Sequence, residues 1–536
     1  MNYYRCENPD CGFLAEEEPD VCPHCGGTFF QPVDEEELTG PDWVQLGNRA
    51  VDEGRHTDAL ACYQQAAALD DVLGVTNLGW CLEAGIGVEA DPRQAVVLYA
   101  QAAARDYMPA LTNLGYCYAH GIGVAQDDAK AVECFRKGAE QGFPRAQFLL
   151  GEAYTRGLGV PRDDSQAAKW YQSAAWLGYP AAQTELGRCL EFGTGVPQSV
   201  QQAAKWYQAA AEQGNAPGQC CLGFLYESGQ GVEQSWEEAV RWYRAAADQG
   251  YPRALCNLAW CYEYGKGVEQ NWKRAVHWYR QAADQEDPRG MFCMGICCKY
   301  GRGVEQNWEE AVHWYRRAVD AGSAAAMCNL GVCYERGEGV ERDAAEAARL
   351  YRQAAEREDA AAQCNLGYLY ETGEGVEQNW QEAVRWYQAA AEQGYPRAQC
   401  NLGVCWEFGH GVAKDPAKAA DLYRQAAEGG DRVAACNLGY LYETGVGVAQ
   451  SWADAVKWYR QAVEESEPRA QYNLAWCYEH GKGVPRDLRQ ARELYQAAAK
   501  QGYAGAQEAA DRMEKDGSRR RGGGFLRGFL DGLRGQ

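Results

Sequence analysis

The sequence lacks long apolar runs, an apolar start and an excess of basic residues. No stretch of about 18 apolar residues occurs and no apolar core follows Met1, so neither a transmembrane helix nor a secretory signal is predicted. The chain has 52 Lys and Arg against 75 Asp and Glu, a formal charge of −23, which argues against nucleic acid or an anionic membrane as the main partner. We therefore expect a soluble cytoplasmic protein that does not bind nucleic acid.

Catalytic motifs are also missing from the sequence. It has no Gly-Xaa-Ser-Xaa-Gly turn, no phosphate-binding loop and no His-Glu-Xaa-Xaa-His pair. Two of its seven histidines, His277 and His313, are 36 residues apart and repeat a single surface position. Because no motif pairs a nucleophile with a base, we expect the protein not to be an enzyme.

Four cysteines near the N-terminus stand apart from the other nineteen. They form one pair with four intervening residues and one pair with two, and each pair is followed by glycine, which lets backbone N–H groups point at the thiolates. This pattern predicts a tetrahedral all-sulfur metal site formed by Cys6, Cys11, Cys22 and Cys25. A head of about 40 residues buries too little apolar surface to fold alone, so the metal would stabilise it. His24 is predicted to be a spacer rather than a ligand.

The head resembles the zinc-ribbon and rubredoxin-like families over residues 3–32, through Cys6-Glu-Asn-Pro-Asp-Cys11-Gly and Cys22-Pro-His-Cys25-Gly-Gly. The resemblance implies a structural zinc ion, with a redox-active iron in a rubredoxin-like site as the alternative. We assign residues 1–32 to this metal domain and residues 33–40 to an acidic linker.

A 36-residue period fills most of the chain. Self-similarity at a fixed period of this length is typical of a solenoid in which each repeat packs on its neighbours. The string Gly-Xaa-Gly-Val recurs every 36 residues, without an insertion, at Gly85, Gly121, Gly157, Gly193, Gly229, Gly265, Gly301, Gly337, Gly373, Gly409, Gly445 and Gly481.

The pattern within each repeat predicts two amphipathic helices. In the repeat that contains Gly265, Ala254, Leu258 and Tyr262 form an apolar stripe typical of a helix. Glycine readily adopts the left-handed conformation, so Gly265 predicts the end of this first helix. Asp, Asn or Ser stands six residues after the first glycine in all twelve repeats and predicts the N-cap of a second helix, which buries Tyr279 here.

The repeat resembles the Sel1-like family, relatives of tetratricopeptide repeats, through Ala-Xaa3-Leu-Gly-Xaa2-Tyr-Xaa2-Gly-Xaa-Gly-Val and Trp-Tyr-Xaa2-Ala-Ala. The resemblance implies an all-α fold, an α/α superhelical solenoid that serves as a non-enzymatic protein–protein interaction scaffold and binds a partner polypeptide in its concave groove. We assign twelve repeats to residues 73–515 and a divergent tetratricopeptide-like capping repeat to residues 41–72.

Fourteen of the nineteen remaining cysteines recur in phase with the glycine turn. Free cysteine packs as a small apolar residue, so buried helix positions are predicted. A cysteine-rich branch of the Sel1-like family, with suggested penicillin-binding or β-lactamase activity, joins neighbouring helices by disulfides. The matching positions here hold alanine, as at Ala246 and Ala247 before Cys256, so we expect no such bridges and keep a hydrolase of that branch as the alternative function.

One face of the first helices carries asparagine in eight of the twelve repeats. It resembles the asparagine ladder of peptide-binding tetratricopeptide superhelices, in which an amide offers both a donor and an acceptor to an extended peptide. The resemblance implies a peptide-binding asparagine column of Asn77, Asn113, Asn257, Asn329, Asn365, Asn401, Asn437 and Asn473, with Trp80, Trp260 and Trp476 as aromatic contacts. Alternatively, duplication copied an indifferent residue, and the column is interrupted at Leu149, Glu185, Cys221 and Cys293.

The last residues, 516–536, form a basic, glycine-rich tail that ends in a short amphipathic segment. Arg519, Arg520 and Arg521 precede an apolar set that includes Phe525 and Leu533. This tail is predicted either to dock in a groove, to touch a membrane surface or to be a frayed end. The sequence does not indicate the oligomeric state.

Overall fold

The computed structural model describes residues 3–8, 11, 13–16, 19, 21–25 and 28–514. Its described part is almost entirely helical, and the helices follow each other in pairs, which confirms the prediction of an all-α solenoid. The chain divides into a first compact unit that ends at Asn271 and a second that begins at Trp272. The predicted tail, residues 516–536, lies outside the described residues.

The first unit begins with a small antiparallel sheet of strands β1 (Tyr3–Cys6), β2 (Leu14–Ala15) and β3 (Phe30–Val33), in the order β2-β1-β3, followed by a single 3-10 turn (Glu35–Glu37). Helices follow, and each packs on the next. Their bounds are α1 Gly40–Asp52, α2 His56–Ala68, α3 Val72–Ala84, α4 Pro92–Ala103, α5 Met108–His120, α6 Asp128–Glu140, α7 Pro144–Arg156, α8 Asp164–Trp176, α9 Pro180–Phe192, α10 Val200–Glu212, α11 Ala216–Ser228, α12 Trp236–Ala247 and α13 Pro252–Tyr264.

The second unit continues the same alternation of first and second helices. A further helical segment covers residues 506–514 at its end. The bounds of the others are α14 Trp272–Asp284, α15 Pro288–Tyr300, α16 Trp308–Asp320, α17 Ala324–Arg336, α18 Ala344–Ala355, α19 Ala360–Thr372, α20 Trp380–Glu392, α21 Pro396–Phe408, α22 Pro416–Glu428, α23 Arg432–Thr444, α24 Trp452–Glu464, α25 Pro468–His480 and α26 Leu488–Lys500.

The predicted start and stop residues bound the helices of a repeat. Helix α19 ends at Gly373, whose φ of +77° is the left-handed conformation expected of glycine at this position. Helix α20 begins after Asn379, whose Oδ1 accepts hydrogen bonds from the backbone N–H groups of Gln381 and Glu382. The equivalent Ser199 makes no such side-chain bond, so the cap is not uniform along the chain.

Two close approaches hold each repeat together and join it to the one before. A Cβ added to Gly367 of α19 would lie 2.7 Å from the ring of Tyr387 in α20, so only a small residue lets this buried tyrosine lie against the first helix. A Cβ added to Gly375, in the turn between these helices, would overlap the carbonyl group of Ala344 at the start of α18. The turn of one repeat therefore packs directly on a helix of the preceding repeat.

The sheet is fixed to the first helix pair. Tyr3 packs edge-on against Trp43 of α1, with ring centroids 5.8 Å apart, and the Arg5 guanidinium lies 2.7 Å from a carboxylate oxygen of Asp42. Arg49 donates to the carbonyl oxygen of Leu14 at 2.6 Å. Residues assigned to the acidic linker take part in this packing, because Val33 and Leu38 share a buried cluster with α1.

Candidate functional site

The four cysteines of the head converge on one point. Their sulfur atoms all lie within 4.8 Å of one another, with 3.6 Å between Cys6 and Cys25 and 3.4 Å between Cys11 and Cys22. Four sulfurs bound tetrahedrally at about 2.3 Å from one ion would be about 3.8 Å apart. The cluster therefore has the dimensions of a single tetrahedral metal site.

Strand β1 and a short turn position the first cysteine pair. Cys6 is the last residue of β1, and its N–H donates to the carbonyl oxygen of Phe13 at 2.9 Å. The Cys11 N–H donates to the Asn8 carbonyl oxygen, also at 2.9 Å, which closes the knuckle. His24 packs edge-on against Phe13, 5.2 Å between centroids, and is not a member of the sulfur cluster. The glycines predicted to follow the pairs, Gly12, Gly26 and Gly27, lie outside the described residues.

The electrostatics of the cluster favour a bound cation. Burial and the neighbouring thiols raise the pKa of Cys11 to about 12. Four thiolates this close repel one another strongly unless a positive ion lies between them. An all-sulfur tetrahedral set suits zinc or iron, so the donor atoms and their spacing are compatible with either metal.

The asparagine column lies on the first helices with its side chains partly covered. Asn257 is buried, with 9% of its surface exposed, whereas the other seven members are half-buried. Four amide nitrogens point at a cysteine of the preceding repeat. In each case the Nδ2 group of the asparagine donates a hydrogen bond to the Sγ atom of the cysteine, at 3.8–3.9 Å. The pairs are Asn257 with Cys220, Asn365 with Cys328, Asn401 with Cys364 and Asn437 with Cys400.

These cysteines are neutral acceptors rather than reactive thiolates. Burial raises the pKa of Cys328 and of Cys364 to about 12, so both stay protonated near neutral pH. The sequence predicts them to be buried, and the structure confirms this, but their bond to the next repeat was missed. A signal was present, because Cys and Asn occur next to each other in five repeats, as at Cys364 and Asn365. None of the 23 cysteines, all of which lie in the described part of the chain, forms a disulfide.

The oxygen atoms of two column members accept hydrogen bonds from arginines of the next repeat. Arg145 donates to Oδ1 of Asn113 at 2.8 Å, and Arg469 donates to Oδ1 of Asn437. In both cases the arginine follows the asparagine by 32 residues. The column is therefore already an acceptor for guanidinium groups within the chain.

The three tryptophans implied as aromatic contacts differ in their surroundings. Trp80 is 39% exposed. Trp260 and Trp476 are half-buried and stack on the first residue of a second helix, Trp236 and Trp452, with centroids 5.8 and 5.6 Å apart. These stacks fix the two rings at the edge of the face that carries the asparagine column.

A pocket lies where the asparagine column is interrupted. Most repeats place a glutamate and a tyrosine here, whereas this repeat has Ala119 and Phe135, which line a pocket that is open to solvent. Leu149, at an interrupted column position, lines the pocket together with Glu152. Burial raises the pKa of the Glu152 carboxyl, and its Arg156 partner lies 3.4 Å away.

The glutamate–tyrosine pair itself is a second feature missed by the sequence reasoning. In at least eight repeats the buried tyrosine of the second helix donates to a glutamate sixteen residues earlier, at 2.5–2.9 Å. Tyr387 and Glu371 are one such pair. The constant spacing of sixteen residues was the available signal. These bonds connect the two helices of a repeat at a position that the glycine leaves open.

None of the helices in the described part of the chain combines the length and the apolar character that crossing a bilayer requires. Helix pairs recurring every 36 residues define a solenoid of the tetratricopeptide-like class. A family model described as Sel1 repeat matches residues 55–71, 73–107, 109–143, 144–179, 180–215, 216–251, 252–287, 288–323, 324–359, 360–395, 396–431, 432–466 and 468–503. The chain belongs to the Sel1 repeat family.

A solved structure with an identity above 30% agrees with this assignment. A protective antigen present in uropathogenic Escherichia coli strains, described as displaying an SLR fold, is 34% identical over 78% of this chain and 90% of its own, with a TM-score of 0.60. A Sel1 repeat protein from Oxalobacter formigenes is 31% identical over 57% of this chain and 91% of its own, with a TM-score of 0.42. No curated protein matches the chain.

Proposed function

We propose that the chain is a non-enzymatic scaffold that binds a partner polypeptide along the asparagine column, in a concave groove formed by the first helices. Proteins of this family are typically interaction scaffolds. The observation that carries the proposal is the recurrence of one asparagine on the same helix face in eight repeats, half-buried in seven of them and buried at Asn257. An asparagine costs some tenths of a kcal/mol in a helix relative to alanine, so binding accounts for its repetition better than helix stability does.

The partner is a protein rather than a nucleic acid in this proposal, and the compartment is the cytoplasm. The net charge of −23 disfavours contact with phosphates and favours basic polypeptides. The free thiols are those of a reducing compartment.

We also propose that Cys6, Cys11, Cys22 and Cys25 hold one structural zinc ion. The convergence of the four sulfurs supports a metal, and the absence of an open ligand position in an all-cysteine set fits a structural role. Elemental analysis of the purified chain tests this, with one zinc per chain as the expected result. One iron per chain would instead support the rubredoxin-like alternative.

The groove is tested by changing Asn329, Asn365, Asn401 and Asn437 to alanine together. At about 0.7 kcal/mol for each net hydrogen bond, four losses sum to about 2.8 kcal/mol, or about a hundredfold in affinity. Affinity purification with the full chain, followed by mass spectrometry, identifies the partner. Titration of that partner into the unchanged chain and into the variant then measures the change in affinity. The variant should remain folded, because alanine is the better helix former and a thiol is a weak acceptor.

A matched control replaces Gln381 and Gln388, exposed on a second helix, with alanine. The control should bind the partner like the unchanged chain. Normal binding by the fourfold variant would show that the asparagine column does not carry recognition.

A further inference from the structure

In six members of the asparagine column, contacts within the chain give the amide one orientation, in which Nδ2 faces a sulfur or a backbone carbonyl of the chain or Oδ1 faces an arginine. Nδ2 of Asn401 donates to Sγ of Cys364, and Nδ2 of Asn329 donates to the carbonyl oxygen of Ala325 at 3.0 Å. A backbone carbonyl only accepts hydrogen bonds, which fixes the orientation of Asn329.

The arginine contacts fix the same orientation independently. A guanidinium group only donates, so the atom of Asn437 that faces Arg469 must be Oδ1, and its nitrogen must face Cys400. Asn113 is oriented in the same way by Arg145. The column therefore presents acceptors outward. It does not offer the alternating donor and acceptor that a two-point clasp of a peptide backbone requires.

Four members of the column, Asn77, Asn329, Asn401 and Asn473, have no arginine 32 positions later, and we consider the two of them that lie between repeats of the second unit, Asn329 and Asn401. The residue 32 positions after Asn329 is Ala361, and the residue 32 positions after Asn401 is Val433. Within the described part of the chain, no donor forms a hydrogen bond with Oδ1 of Asn329 or Asn401. Val433 is 41% exposed and Ala361 is half-buried, so the space that an arginine occupies in other repeats is open to a partner.

Resting on the proposed function, we infer that Asn329 and Asn401 each accept the guanidinium group of an arginine from the partner polypeptide, in the place that Arg145 and Arg469 occupy at Asn113 and Asn437. Bonds from a charged donor are stronger than neutral ones, and the acidic chain attracts such a partner before contact. The two sites are two repeats apart. If first helices stack about 10 Å apart, they are separated by about 20 Å, or about six residues of extended chain.

Peptide binding to the full chain tests the chemistry. The probe is a fluorescein-labelled peptide of about twelve glycines and serines with two arginines about six positions apart, followed by fluorescence anisotropy at physiological salt. Sister peptides carry citrulline or glutamate in place of arginine. We expect the arginine peptide to bind about tenfold or more tightly than either sister peptide, because neutral citrulline loses the charge and glutamate is repelled.

Two double variants test the site. Asn329→Ala with Asn401→Ala should weaken the arginine peptide about tenfold or more, whereas Asn329→Asp with Asn401→Asp, which keeps an outward oxygen, should bind it at least as tightly as the unchanged chain. If the outward atom were instead the amide nitrogen, the aspartate variant would bind worse.

Filling the open places from within the chain is a second, independent test. Ala361→Arg with Val433→Arg should place an arginine against each open oxygen and weaken the arginine peptide about tenfold or more. The charge-matched control, Gln381→Arg with Gln388→Arg, adds the same two positive charges on a second helix and should have a much smaller effect. Equal effects of the two arginine variants, or equal binding of the arginine and citrulline peptides, would overturn the inference. The inference and the proposed function can fail separately. If these tests fail but the fourfold alanine variant no longer binds the natural partner, the inference is wrong and the proposed function still holds.

Discussion

The head and the repeats use the same residue type in opposite ways. In the head, four cysteine sulfurs lie within 4.8 Å of one another and form the centre around which a small sheet is arranged. In the repeats, Cys328 and Cys364 are buried among apolar side chains and accept hydrogen bonds from asparagines of the next repeat. The comparison shows that the neighbours of a cysteine, rather than the number of cysteines in the chain, decide whether it joins a four-sulfur cluster or packs among apolar side chains.

The two regions also differ in what stabilises them. The head buries few apolar residues around its cysteines and depends on the proposed metal. Each repeat instead has its own glycine turn, and most repeats also have capped helices and a tyrosine–glutamate bond. A repeat gains stability by packing on its neighbours. Perturbing one region should therefore leave much of the other unchanged.

Removing the metal should have the largest effect and should be confined to the head and α1. Structural zinc contributes on the order of 10 kcal/mol or more to the folding of small zinc domains, so Cys22→Ala or a chelator should unfold the sheet. Hydrogen exchange should rise over residues 3–38 and in α1, where Trp43 and Asp42 lose their contacts, and remain low from α3 onward. Increased exchange throughout the repeats would show that the two regions are not independent.

Gly375→Ala should be the most damaging change within the repeats. The substitution forces a left-handed conformation on alanine and drives its Cβ into the Ala344 carbonyl. We expect the free energy of unfolding to fall by about 2–5 kcal/mol. Gly394→Ala is the matched control, because Gly394 has a similar φ of +79° but no atom within 4 Å of the added Cβ, so only about 1–2 kcal/mol should be lost.

Urea denaturation measures the free energy of unfolding of both glycine variants, and hydrogen exchange of α18 to α20 shows where the structure is weakened. The position of Gly394 already holds Glu358, at φ +64°, in the preceding repeat, which shows that this turn tolerates a side chain. Equal losses for the two variants would contradict the proposed role of the close approach between repeats.

Tyr387→Phe should have an intermediate effect. It removes the bond to Glu371, which as a hydrogen bond to a charged acceptor is worth about 1.5–3 kcal/mol. Tyr315 is the natural control, because Lys299 replaces the glutamate there and the buried Tyr315 hydroxyl has no hydrogen-bond partner among the described residues. Tyr315→Phe should therefore be neutral or slightly stabilising in thermal denaturation. A large loss at Tyr315 would contradict this account of the pair.

Alkylation should have the smallest effect on the repeats. A thiol with a pKa of about 12 is deprotonated in about one molecule in ten thousand at about pH 8, so iodoacetamide should leave Cys328 and Cys364 unmodified in the folded chain. Because the raised pKa keeps each thiol protonated, the small thiolate fraction should increase about tenfold with each pH unit and become large only near pH 12. After metal removal, mass spectrometry should find the four head cysteines modified first.

Much of the fold was predictable because it depends on local residues that recur. The spacing of Gly265 and its equivalents determines where first helices end, and the stripe of Ala254, Leu258 and Tyr262 is buried as predicted. The four-cysteine cluster was predictable as well, because the paired spacing limits how the chain can fold around one ion.

The contacts between repeats were not predictable from one repeat alone. The bond from Asn365 to Cys328 spans 37 residues and depends on how neighbouring repeats stack, which helix periodicity does not specify. The burial of Asn257 was likewise missed, since the helical pattern placed it outside the apolar stripe. The use of the asparagine column as a peptide site stays a prediction.

The contact between Gly375 and the Ala344 carbonyl has a consequence for how such a gene can change in length. The turn of each repeat fits against the helix start of the one before, so a copying error that adds or deletes 36 codons reproduces an existing junction. An error of one or two codons in that turn would misplace the glycine and break the junction. The solenoid can thus lengthen or shorten only in whole repeats, and duplication of any of the eight repeats that carry the asparagine would extend the asparagine column by one residue.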